Sequence, residues 1–130
     1  SIGIPLAVAS DYTFIAKSAT MTLHPIRVTG LVIGAEPTFD YFRKTQERVV
    51  EFIVEHSESS EAEILKRMNS TGNMANDVGM ILFGHDAVNI GLIDEVGGLK
   101  QAIGKLRSLI GDETREYKRK RKKGDKHGSN

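Results

Sequence analysis

Apolar residues recur at Phe39, Phe42, Val49, Val50 and Ile53, the three-and-four spacing of one helical face, and predict an amphipathic helix over 38–56. Asp40 lies in its first turn and Arg43 precedes Glu47 by four, a favourable pairing distance. A second, shorter helix begins after Ser60, whose hydroxyl can cap it while Glu63 completes a capping box; Ile64, Leu65 and Met68 form its apolar side. A polar, glycine-containing loop follows over 69–79. Residues 86–90 then read as one or two helical turns closed by Gly91 in the left-handed cap position. Residues 92–96 read as a short strand. The last helix carries Leu99, Ala102, Ile103, Leu106 and Ile110 on one face, with Gly111 as its expected stop. Ahead of the long helix, 12–16 and 20–24 are rich in aromatic, β-branched and threonine residues and read as strands parted by Lys17, Ser18 and Ala19. Residues 2–10 read as a buried helix, since Pro5 falls early enough to be tolerated. The order α-β-β-α-α-β-α implies an α/β layer fold, although three short strands make a thin sheet for that many helices.

Composition narrows the class. Hydrophobic residues at 39% and charged residues at 27% of 130 describe an ordinary folded domain. The absence of cysteine excludes a disulfide framework, a zinc ribbon and a thiol nucleophile, and is compatible with a reducing interior, so a cytoplasmic location is expected. No apolar run approaches the ~18 residues that cross a bilayer, so no transmembrane segment is expected. The net charge of +1 conceals two blocks: residues 118–130 hold seven Lys/Arg against one Asp, and residues 1–117 hold eleven against sixteen acids. The basic block contains no apolar residue and reads as a disordered tail over 111–130, appended to a domain over 1–110. It is either a patch for nucleic acid or anionic membrane, or a solubilising appendage. No aromatics are interleaved in it, which argues against specific nucleic-acid recognition.

Candidate chemistry is sparse. Ser1 stands at the start of the first helix, where unpaired backbone N–H groups favour a developing oxyanion, and the Ile2 amide is the nearest donor. His24 ends a strand immediately before Pro25, where its imidazole could be aimed back at that helix start, the pairing a serine hydrolase requires. The four histidines at 24, 56, 85 and 127 lack any ligand spacing, so neither a metal nor another cofactor is expected.

Ser1-Ile2-Gly3, Thr20-Met-Thr-Leu-His24-Pro25, the long helix and Ala87-Val-Asn-Ile-Gly-Leu-Ile-Asp94, in that order, resemble the later two thirds of the ClpP peptidases. The stretch from Met68 to Gly79, with Ile81-Leu-Phe-Gly84, is similar to a divergent branch of that family. The resemblance implies a ClpP/crotonase-like layered sheet-and-helix fold lacking its N-terminal strands. It further implies a serine endopeptidase acting through an acyl-enzyme on peptides or unfolded proteins, with protein export or sporulation as a setting. Ser1 would be the nucleophile, His24 the base and Ile2 an oxyanion donor. Counting back from Gly91 without gaps places the family's aspartate at Gly79, and counting forward from His56 places it at Thr71. Asp77, the only carboxylate of the loop, is therefore the expected third member, while Asp86 and Asp94 read as structural. The family also implies a homo-oligomer joined through the long helix and leaves room for an ATP-driven unfoldase. The displaced aspartate favours a rival reading, a catalytically impaired scaffold or adaptor of the same superfamily. A second rival makes the Ser1 amine its own base.

Overall fold

The computed structural model describes residues 2–31, 34–71 and 78–124, with side chains placed through residue 118. The chain forms two units, residues 1–96 and residues 97–130.

In the first unit, helix α1 (Gly3–Val8) turns Ile4 and Val8 into the core, and Pro5 sits within its first turn as its fixed φ permits. Strands β1 (Phe14–Ile15) and β2 (Thr20–Leu23) follow, shorter than the stretches 12–16 and 20–24 expected for them. Helix α2 (Ala35–Glu55) starts three residues before the expected 38, because Pro37 also falls in a first turn, and it buries Val50 and Ile53. Arg43 bridges Asp40 and Glu47 on its outer side, and Lys44 also pairs with Asp40, holding the Asp40 carboxyl below the usual carboxylate range.

Helix α3 (Glu61–Met68) has the expected Ser60 cap, its hydroxyl accepting from the Glu63 N–H at 3.2 Å, but Glu63 does not complete the expected capping box. The Glu63 carboxylate reaches forward to Arg67 Nε at 2.6 Å, which lowers its pKa. Strand β3 (Met80–Phe83) occupies a stretch for which the pattern predicted no element, and helix α4 (Gly84–Asn89) follows directly. Gly91 adopts φ +73°, as its cap role requires, and accepts from the Glu58 N–H through its carbonyl. Strand β4 (Glu95–Val96) closes the unit; Leu92 and Ile93, expected within the strand, precede it as buried turn residues.

Two short sheets result among the described residues: β1 beside β4 in parallel, and β2 against β3 in antiparallel register, with Thr20 opposite Phe83 and Leu23 opposite Met80. This is an α/β arrangement, mostly helical, and the described strands do not form the single layered sheet that was expected. The core draws Ile4, Ile15, Leu23, Ile53, Ile64, Leu82 and Leu92 from all of these segments, so one apolar cluster ties the two sheets to the helices.

The β1–β4 ladder has two residue pairs and relies on side chains beside it. Asp94 Oδ2 accepts from the Thr13 N–H at 2.7 Å and from the Thr13 hydroxyl at 2.6 Å, and that hydroxyl accepts from the Asp94 N–H at 3.0 Å. Next to it the Tyr12 hydroxyl donates to Glu95, and this bond pushes the Tyr12 pKa up to about 12 from 10.0. A raised pKa means that the stabilisation is complete below pH 10 and is lost as pH rises through 12. Tyr12→Phe should therefore remove that alkaline component, leaving a flatter stability profile between pH 10 and 12 in denaturant titrations.

In the second unit, helix α5 (Leu99–Gly124) runs through Gly111 instead of stopping there. A glycine inside a helix costs only ~1 kcal/mol. Here the Thr114 hydroxyl donates to the Ile110 carbonyl and Arg115 pairs with Asp112 at 3.6 Å across that point, so local interactions carry the helix on.

Candidate binding site at His24

The site begins where β2 ends. Pro25 cannot continue a ladder, so the chain leaves the sheet immediately after His24. Beyond it the Ile26 N–H donates to Gln46 Oε1 at 3.1 Å, which pins the departing chain to α2. Gln46 lies among Phe42, Val49 and Val50 in the apolar stripe of α2, and a polar residue in such a stripe signals a partner nearby. The hydrophobic pattern alone does not single it out.

The imidazole is half-buried, and its Nδ1 donates to the Pro25 carbonyl at 2.7 Å. A carbonyl only accepts, so Nδ1 carries a proton, and Nε2 is the ring nitrogen left free to accept when the ring is uncharged. In a Ser-His-Asp site the same Nδ1 proton goes to a carboxylate, whose charge stabilises the imidazolium formed in the reaction. A carbonyl orients the ring equally well but carries no such charge.

Across from His24 stands Gly79. A Cβ built on it would lie 2.8 Å from His24 Cβ and 2.6 Å from the Leu23 carbonyl oxygen, and its φ is +136°. The backbone is drawn into place by the Gly79 N–H donating to the Ser70 carbonyl at 2.8 Å and by the Thr71–Val78 bridge. Gly79 is one of the two positions that counting gave for the family's aspartate, the one reached back from Gly91; the other is Thr71. A residue without a side chain thus backs onto the Cα and Cβ of His24.

Of the other expected members, Ser1 and Asp77 lie outside the described residues. Ile2 is the exposed N-cap residue of α1, and its carbonyl accepts from the Leu6 N–H. Asp86 accepts from the Phe83 N–H at 3.2 Å at the start of α4, and Asp94 is bound to Thr13, so both carboxylates serve the fold. Among the described residues no group of three His, Asp or Glu side chains could hold a metal ion.

Ile2 and His24 line the same cavity of about 210 Å³, walled by Ile4, Pro5, Leu23, Val49, Ile53 and Met68, with Thr22 and Gln46 as further polar contributors. The volume is below the ~300–1,000 Å³ of sites for drug-sized molecules and suits one apolar side chain.

The Clp protease family model matches residues 1–100. The translocation-enhancing protein TepA of Halalkalibacterium halodurans is 56% identical over 110 residues, which cover 85% of this chain and 43% of TepA. The chain thus spans less than half the length of that relative. These findings correct the expectation of a serine endopeptidase. This relative is named for enhancing translocation, and the His24 Nδ1 is held by a backbone carbonyl where a triad would present a carboxylate. Matched by the family model over residues 1–100 and by a relative at 56% identity, the chain belongs to the Clp protease family.

Proposed function

We propose that this chain is a non-enzymatic scaffold of the Clp protease family, one that holds an apolar side chain of an extended peptide or unfolded segment in the cavity beside His24. The observation that carries the reading is the pairing of Gly79 with a His24 whose Nδ1 proton is spent on the Pro25 carbonyl. A histidine so placed is a fixed polar wall with one acceptor nitrogen, suited to a backbone N–H of a bound strand. The apolar lining supplies the affinity, since burying a leucine or phenylalanine side chain is worth ~1.5–3 kcal/mol. TepA is named for enhancing translocation, and binding of unfolded segments is the activity by which a scaffold would serve protein export. On this reading the two short ladders are portions of the family's layered sheet, and copies of the chain join through α2.

A labelled apolar peptide titrated against the protein tests the reading by fluorescence anisotropy. Val49→Phe fills the cavity from α2 and should weaken binding about tenfold, the order expected from one lost side-chain contact, while thermal unfolding stays near that of the parent. Equal affinity in the folded variant would place the peptide elsewhere.

A further inference from the structure

Six consecutive cations, Lys118 to Lys123, have no role in the site at His24. They occupy the last two turns of α5, which is helical to Gly124. Cations are favoured at a helix C-terminus by its dipole. Consecutive like charges nonetheless repel one another, and an anionic surface is the complement that relieves them. Residues 1–117 carry eleven Lys/Arg against sixteen acids, so the net positive charge lies in residues 118–130, where this run holds six of the seven cations.

Two observations favour a lipid surface over nucleic acid. The run contains no aromatic residue on which bases could stack. By helical spacing, α5 also places Leu99, Ile103, Leu106, Ile110 and Tyr117 along one stripe leading into the basic segment. An apolar stripe with a tyrosine at its edge and a cationic end is the pattern of helices that meet a membrane interface.

We propose that the basic end of α5 is an electrostatic docking segment for membranes containing anionic phospholipid. Each cation near such a surface strengthens partitioning by about fivefold, and the attraction fades within a Debye length of ~8 Å at physiological salt.

The test is co-sedimentation of the full chain with phosphatidylglycerol/phosphatidylcholine vesicles, alongside phosphatidylcholine alone. The chain should pellet with the anionic vesicles at about 0.1 M salt, remain in solution with the neutral ones, and be released at about 0.5 M salt. The variant K120Q/R121Q/K122Q/K123Q should lose about 100-fold or more in partitioning. The charge-retaining R119K/R121K should bind like the parent, and circular dichroism should show both variants folded. Failure to pellet with anionic vesicles, equal pelleting of the neutralised variant, or release of bound protein by a short DNA duplex at equal charge would overturn the proposal; the last would assign the run to nucleic acid.

Discussion

Gly79→Ala is expected to destabilise the protein by about 3 kcal/mol, the largest effect of any single methyl group considered for this chain. Two costs combine. The φ of +136° lies in a region that residues with a Cβ rarely adopt, at on the order of 1–3 kcal/mol. The added methyl would also stand 2.6 Å from the Leu23 carbonyl oxygen and 2.8 Å from His24 Cβ. The first of these neighbours is backbone and cannot rotate away, so the loop must retreat from β2, losing its hold on the Ser70 carbonyl and loosening the β2–β3 pairing that begins one residue later. Thermal unfolding should fall by on the order of 10–20 °C. The cavity beside His24 should loosen with it, so that peptide binding weakens even where the variant is still folded. An unchanged melting temperature would show that Gly79 does not back onto His24 as described.

Asp94→Ala should cost about 2 kcal/mol. The Thr13 N–H and the buried Thr13 hydroxyl both lose a charged acceptor at 2.6–2.7 Å, and bonds to charged groups are worth ~1.5–3 kcal/mol each when buried, less at a partly exposed site such as this one. The loss is magnified because β1 and β4 share only the pairs Phe14–Glu95 and Ile15–Val96, so little else joins residues 81 positions apart at this point. Asp94→Asn keeps an oxygen acceptor of similar shape and should lose about half as much. Hydrogen exchange at the Glu95 N–H, which donates to the Thr13 carbonyl, reads the local effect directly: it should accelerate in Asp94→Ala well beyond the change in global stability.

Much of the helical frame was legible because its signals are local. The apolar stripe of α2, the Ser60 cap and the left-handed Gly91 are each written within a few residues. Strand β3 was not, because Met80, Ile81, Leu82 and Phe83 are all apolar. The alternation that places Leu82 inside and Phe83 outside exists only once β3 is paired with the threonines of β2. The stop expected at Gly111 is not seen because a glycine ends a helix only where the chain also turns, and the Thr114 and Arg115 contacts tie the next turn to the one before. At the site, the position of His24 before Pro25 could be read directly, whereas counting gave two positions, Gly79 and Thr71, and the expected third member was Asp77, outside the described residues. That the glycine touches His24 depends on a contact between distant segments, and that Nδ1 turns to the adjacent carbonyl depends on a side-chain rotamer. Neither leaves a periodic trace. Gln46 was readable in principle, as the one polar residue in an apolar stripe.

On the proposed reading, the site at His24 binds without cutting. The direct test is mass spectrometry of an apolar peptide incubated with the protein and of the protein itself after exposure to a fluorophosphonate probe, in the parent and in His24→Ala. The expected result is an intact peptide that anisotropy shows to be bound, and no covalent adduct that depends on His24. Peptide cleavage, or an adduct abolished by His24→Ala, would contradict it.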